Sequence, residues 1–198
     1  MSDTLDLVPE RLETERASVL VVVGTDHHPF ERLMRWVDAF AAATDRPIGW
    51  LVQSGTSTAP GSVRSRAFLA RDELARAMAE ATVVVCHGGP ASIADARSAG
   101  HVPIVVPRRR GLGEHVDDHQ VRFARRLAGS GRIRLAEDEE RFRGCLEQAL
   151  AEPPSGDHVG GHGDRECERF IALADRLLQQ PPRGLLGSLV DRRGGRGT

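Results

Sequence analysis

The chain has 198 residues, 40% of them hydrophobic and 28% charged, the composition of an ordinary folded domain with a sizeable core. Its net charge of −1 gives no electrostatic footprint for nucleic acid, and its basic side chains are all arginine, with no lysine and no tyrosine. Cys86, Cys145 and Cys167 are scattered and form no CxxC pair, which argues against a disulfide framework or a zinc site and fits a reducing compartment. No apolar run reaches membrane-spanning length, and the acidic N-terminus has no signal-peptide pattern.

Residues 1–17 are polar and read as a flexible lead. Ser18 to Val23 is a continuous β-branched run ending at Gly24, the pattern of a strand buried on both faces. Phe30, Leu33, Met34, Val37, Phe40 and Ala41 follow at helical spacing. A strand over Ile48–Val52, a loop over 54–62, and a short third strand over Ala67–Leu69 come next. Asp72–Glu80 reads as a helix and Val83–Cys86 as a buried strand. Ala91–Ala99 is a helix closed by Gly100, and Val102–Val106 a strand ended by Pro107. Asp118–Ala128 (helix), Ile133–Leu135 (strand) and Glu139–Leu150 (helix) complete the alternation. Such alternation predicts an α/β fold, a Rossmann-like parallel sheet with right-handed crossovers and helices on both faces, over residues 18–150. Residues 151–163 read as a linker, 164–180 as a C-terminal helix with Cys167, Phe170, Ile171, Ala174, Leu177 and Leu178 on one face, and 181–198 as a disordered Gly- and Arg-rich tail.

Three constellations fall where strands end, the edge at which open α/β sheets bind ligands. In Cys86-His87-Gly88-Gly89-Pro90-Ala91-Ser92 the glycines permit a sharp turn and close backbone approach, and Pro90 suits the first helical position. The free N–H groups of that helix start favour phosphate, Ser92 adds a hydroxyl, and Asp95, about one turn in, can reach ribose hydroxyls. The alternative is a tight turn with no ligand. In Val106-Pro107-Arg108-Arg109-Arg110, the basic loop can neutralise a diphosphate. Glu114-His115-Val116-Asp117-Asp118-His119-Gln120 follows, with Asp117 or Asp118 as helix cap and His119 and Gln120 turned toward the strand ends. The alternative there is a solvated arginine run and a capped helix. Gly24-Thr25-Asp26-His27-His28-Pro29 is not a GxGxxG; its adjacent histidines are a weak metal signal because neighbouring side chains diverge, and the loop reads as ligand rim. His158 and His162 lie in the glycine-rich linker and read as loop rather than ligands.

Together these motifs resemble a known family. Ala81–Ala124 is similar to the nucleotide-binding half of glycosyltransferases built from two Rossmann-like domains, the family 28 C-terminal domain of GT-B enzymes. Val22-Val23-Gly24-Thr25 with Phe30, then His87-Gly88-Gly89-Pro90-Ala91-Ser92, resemble the small donor-binding subunits of split transferases, both the dolichol-linked N-acetylglucosaminyltransferase type and the bacterial exopolysaccharide and capsule type. Val106-Pro107-Arg108 and Gly113-Glu114-His115-Val116-Asp117-Asp118-His119-Gln120 look most like the exopolysaccharide branch.

The resemblance implies transfer of a sugar from a UDP-sugar such as UDP-N-acetylglucosamine, with inversion, to a polyprenyl-linked acceptor. It implies substrate contacts at Gly24, Thr25, His87, Gly88, Gly89, Pro90, Ala91, Ser92, Asp95, Arg108, His119 and Gln120. Asp95 falls where a bacterial peptidoglycan N-acetylglucosaminyltransferase of this family has a ribose-binding Glu; His119 and Gln120 fall where its glutamine pair meets the sugar; Phe68-Leu69 corresponds to a segment near the base. No spaced DxD motif is present, so no cofactor and no metal are expected. The resemblance also implies that the acceptor half, usually carrying the catalytic base, comes from a membrane-anchored partner subunit, the chain itself being cytoplasmic or peripheral at the inner face of the membrane. The alternatives are a non-catalytic sugar-nucleotide-binding or regulatory module, an oligomerisation scaffold with a dead site, and a self-sufficient homodimer acting on a soluble acceptor. The homodimer would draw its base from His27, His28 or His115.

Overall fold

The computed structural model describes residues 17–151. The expected flexible lead, linker, C-terminal helix and tail lie outside the described residues, apart from the ends at Ala17 and Ala151. The elements run β1 (Ser18–Val22), α1 (Glu31–Ala43), β2 (Gly49–Gln53), β3 (Ser65–Arg66), α2 (Arg71–Glu80), β4 (Val83–His87), α3 (Pro90–Ser98), β5 (Ile104–Val106), α4 (His119–Ala128), β6 (Arg134–Leu135) and α5 (Glu139–Ala151). A single 3-10 turn, Arg110–Leu112, interrupts the β5–α4 loop.

The strands form one sheet in the order β3-β2-β1-β4-β5-β6, and every pairing is parallel. The three valine-rich runs occupy its centre because only strands covered on both faces can be apolar at every position. Val19, Val21 and Val23 point to one face, where Leu33, Val37 and Phe40 of α1 and Phe142 and Leu146 of α5 cover them. Leu20 and Val22 point to the other, packed with Met78 and Ala96 of α2 and α3. Cys86, Val105, Phe123 and Leu127 continue that second face beneath α4. Burial pushes the Cys86 thiol far above its ordinary range, so it behaves as a small apolar side chain.

Strand order reverses between β1 and β4, which are direct neighbours. Successive connections leave this point in opposite directions, opening a crevice outside the carboxyl ends of β1 and β4.

The expected third strand over Ala67–Leu69 lies two residues earlier, at Ser65–Arg66. The backbone after it is taken by other partners. Leu69 N–H donates to the side chain of Gln53 at 3.2 Å, and Phe68 turns outward, 52% exposed. The strand predicted from Val102 begins at Ile104, with Val102 exposed. Gly100, at φ 90°, ends α3 as expected. Among the described residues no helix is long and apolar enough to cross a membrane.

Candidate functional site

The crevice is built by three loops, each leaving the carboxyl end of a central strand. The first runs from Gly24 to Phe30, the second is the His87–Pro90 turn, and the third runs from Pro107 to Asp118. All predicted site residues except Asp95 lie in these loops or in the first turn of the helix that follows.

The His87 imidazole is wedged between two glycines. A Cβ on Gly24 would lie 2.6 Å from its Cε1, and a Cβ on Gly89 would lie 2.3 Å from its Nε2, distances no side chain tolerates. Gly24 also holds φ at 76°. Gly88 is shaped by another neighbour, since its Cβ would lie 2.9 Å from Cβ of Gln120. The glycines of the turn are therefore demanded by the protein's own side chains. Desolvation, reinforced by Arg108, holds His87 down to about 4, so the imidazole is neutral near pH 7.

Gly89 precedes α3 without a side-chain cap, and Pro90 opens the helix. Ile93, Ala94 and Ala96 face the core, so Asp95 is turned outward. Desolvation raises the Asp95 pKa, while Arg71 at the start of α2 opposes that rise. Ala91 is exposed and Ser92 half-buried on the same helix start.

Arg108 points inward rather than toward a ligand. Its Nη1 donates to the carbonyls of His28 (2.7 Å) and Glu114 (3.0 Å), and its Nη2 to that of Val23 (2.9 Å). The guanidinium also lies 4.7 Å from the Phe30 ring centroid. The sequence offers Arg108 as a substrate contact, or else as part of a solvated arginine run, since nothing local predicts its inward course. Only the fold brings three carbonyls of two loops around it. Arg109 donates to the carbonyl of Glu137 at 2.5 Å, and Arg110 is exposed.

A second buried arginine joins the same loops. Arg32 of α1 grips Glu114 through Nε (2.9 Å) and Nη2 (2.8 Å), and Nη2 also reaches the Pro107 carbonyl at 2.9 Å. Glu114 Oε2 accepts the Arg109 N–H at 2.9 Å as well. Arg32 and Glu114 were not singled out from the sequence, since their separation along the chain hides the pairing. Gln53 plays a similar part opposite, its amide donating to the Gly24 carbonyl at 3.3 Å.

Gln120 is buried, its Oε1 accepting the Arg108 N–H at 3.2 Å, which leaves its amide N–H groups for another partner. Asp118 stands at the N-cap of α4 without a side-chain cap bond, and the carboxylate that meets the helix start is that of Asp117. Asp117 Oδ1 takes the His119 N–H at 2.9 Å, and Asp118 Oδ1 takes the Arg110 N–H at 2.9 Å.

The histidines and aspartates form a ladder the sequence only hints at. His28 Nδ1 lies 2.6 Å from Asp26 Oδ1, His115 Nε2 is 3.4 Å from Asp26 Oδ2, and His115 Nδ1 is 3.6 Å from Asp117 Oδ1. Asp117 Oδ1 also contacts His119 Nδ1. The rings of His27 and His28 do not diverge as expected for neighbours; their centroids are 4.0 Å apart. Burial alone would raise the Asp26 pKa, but hydrogen bonds from the backbone and ring of His28, with Arg108 and His115 nearby, hold it at about 2. Asp26 and Asp117 are absent from the sequence-predicted site. The sequence signal for them was their placement beside histidines two residues away. A groove of about 530 Å³, lined by Phe40, Arg143, Glu147 and Leu150 among others, lies at the opposite edge of the sheet, between the ends of α1 and α5.

With this geometry in view, the comparisons with known proteins are specific. Residues 18–151 match the glycosyltransferase family 28 C-terminal domain, and the chain belongs to that family. Among solved structures it is similar to MurG of Acinetobacter baumannii, at 18% identity and a TM-score of 0.56, covering 85% of this chain and 54% of that one. It is also similar to the glycosyltransferase of kitacinnamycin, at 19% identity and a TM-score of 0.56, covering 82% and 43%. The spinosyn forosaminyltransferase SpnP aligns at 18% identity and a TM-score of 0.53, covering 84% and 44%. The fold is thus that of one Rossmann-like half of a GT-B glycosyltransferase, and the chain spans about half the length of these structures. No curated protein sequence matches the chain.

Two outcomes follow from the buried polar groups. Glu114→Ala leaves Arg32 buried without its carboxylate and should lower unfolding stability by about 3–5 kcal/mol in urea titrations. A change under about 1 kcal/mol would show that the pair does not join the loops. His87 titrates at about 4 in the folded chain against 6.5 ordinarily, so the unfolded chain takes up the proton first. Its stabilisation is complete above about pH 6.5 and is lost as the pH falls toward 4. Wild-type stability should therefore fall more steeply across that window than that of His87→Asn, by up to about 1.4 kcal/mol per pH unit. Parallel curves would contradict the shift.

Proposed function

We propose that this chain is the donor-binding subunit of a glycosyltransferase. It holds a UDP-sugar outside the carboxyl ends of β1, β4 and β5, while a membrane-associated partner presents a polyprenyl-linked acceptor. The observation that carries this reading is that α3 starts, without a side-chain cap, at the switch point of the sheet. By helix geometry the N–H groups of Ala91 and Ser92 are left without intrahelical partners, and the positive end of the helix dipole faces the crevice. A nucleoside diphosphate supplies the matching charge.

In this reading the diphosphate rests on the Gly88–Ser92 backbone with the Ser92 hydroxyl beside it. Asp95 takes the ribose hydroxyls. The free amide N–H groups of Gln120, with His119 at the rim, meet hydroxyls of the sugar. Gly24 and Thr25 form the opposite wall, and the His87 ring packs behind the turn. Arg108 acts chiefly by holding that wall in place, because its Nη donors are engaged by backbone carbonyls. In transfer with inversion, an acceptor oxygen attacks the anomeric carbon, the bond from that carbon to the diphosphate breaks, and UDP leaves with the electron pair. The α3 dipole stabilises the charge that develops on the leaving group, so this step calls for no metal ion.

The base comes from the partner in this account. His115 has Nε2 toward Asp26 and Nδ1 toward Asp117, so its ring faces side chains of this chain's own loops rather than an acceptor. His27 is the most exposed of the three histidines considered for that role. In this reading the acceptor-binding half comes from that partner, and cell-surface polysaccharide assembly is the process such an acceptor would serve.

Calorimetry of UDP with the full chain tests the donor site, with chelator present and the partner co-purified where it can be obtained. Saturable binding is expected, and Asp95→Ala should weaken it by about tenfold, the loss of one hydrogen bond to a charged group. Absence of binding to the folded chain both alone and with its partner would overturn the reading. So would binding untouched by Asp95→Ala and by Ser92→Ala together.

A further inference from the structure

We propose that His115, Asp117 and His119 form a binding site for a divalent transition metal ion of the zinc class. Their donor atoms lie within 4.8 Å of one another on a stretch of five residues, and all three side chains are half-buried. Two imidazole nitrogens and one carboxylate oxygen are a borderline-soft donor set that suits zinc or cobalt better than magnesium or calcium. Three protein ligands leave at least one position open for water or an anionic oxygen.

The surroundings prepare His115 for this role. Its Nδ1 receives a long contact from the Asp117 N–H at 3.3 Å, so Nδ1 carries the lone pair. The ring proton then sits on Nε2, facing Asp26 Oδ2 at 3.4 Å. A carboxylate behind the distal nitrogen of a ligating histidine is the usual supporting arrangement in metal sites, since it fixes the tautomer and strengthens the ligand. Asp26 is itself oriented by the His28 N–H at 2.8 Å and the His28 ring at 2.6 Å.

The spacing of the donors is close to what a metal needs. Ligand atoms about 2.0–2.1 Å from a tetrahedral ion lie about 3.3 Å apart, and His115 Nδ1 and Asp117 Oδ1 are 3.6 Å apart. The contact between His119 Nδ1 and Asp117 Oδ1 is shorter than this and would open as an ion enters, the ring proton passing by exchange with solvent to Nε2 so that Nδ1 offers its lone pair. The ion would then tie the β5–α4 loop to the β1–α1 loop through Asp26. This inference stands apart from the donor reading, because metal binding is measured without nucleotide.

The test is a titration of the full-length, chelator-treated chain with Co²⁺, followed by visible absorption, and with Zn²⁺ by competition. One equivalent is expected to bind with the absorption of a low-coordinate site. His115→Gln and His119→Gln should each lower affinity at least about tenfold, and Asp26→Asn by about 10–100-fold through loss of the supporting carboxylate. His158→Gln with His162→Gln should leave it unchanged. Circular dichroism establishes that each variant is folded, and His119→Gln, at a half-buried helix start, is the variant that disturbs the core least. No saturable binding by the wild-type chain would overturn the proposal, as would one-equivalent binding that survives His115→Gln and His119→Gln.

Discussion

The site depends on a buried cation. Arg108 hydrogen-bonds to Val23 and His28 of one loop and Glu114 of another, so the loops leaving β1 and β5 cannot move independently. A guanidinium removed from water is costly, and the cost is met here by three carbonyls, the Phe30 ring, and the nearby carboxylates of Asp26 and Glu114. Arg32 repeats the device beside it, clasping Glu114 against α1 with its guanidinium 4.7 Å from the Trp36 ring centroid. Loops at sheet edges are ordinarily the most mobile part of such a fold. Two buried arginines tie these loops together, and a wall held in place is what a binding crevice requires.

The same economy of space governs the second wall. His87 fits only because Gly24 and Gly89 lack side chains, and the Gly88 backbone lies against Gln120 for the same reason. The end of β4, the end of β1 and the start of α4 are in this way held in mutual contact around the uncapped start of α3. The glycine-rich turn, a general feature of phosphate-binding crossovers, is here shaped from behind by an imidazole and a glutamine side chain.

Much of the architecture could be read from local pattern. Val19–Val23, Val83–Cys86 and Ile104–Val106 are apolar at every position, and that alone marks central parallel strands. Pro90 and Gly100 bracket α3 by conformational preference, with no help from tertiary structure. Short edge elements were harder. β3 has two residues, and its place was decided by Gln53, a side chain twelve or more positions away that claims the backbone N–H of Leu69. The site divided in the same way. The turns at strand ends are local and could be found, whereas the inward course of Arg108, its partnership with loops 80 or more residues distant, and the His28-Asp26-His115-Asp117-His119 ladder are products of chain crossing. No spacing rule relates Asp26 to His115.

The claim that most needs a direct test is that a nucleoside diphosphate occupies the start of α3. Amide chemical shifts of the ¹⁵N-labelled full-length chain, followed as UDP is added, address it residue by residue. The account predicts the largest, saturable shifts at Gly88, Gly89, Ala91 and Ser92, with smaller ones at Gly24 and Gln120. Shifts concentrated instead around Phe40, Arg143 and Glu147 at the opposite edge of the sheet, or none at millimolar UDP in a folded chain, would contradict it.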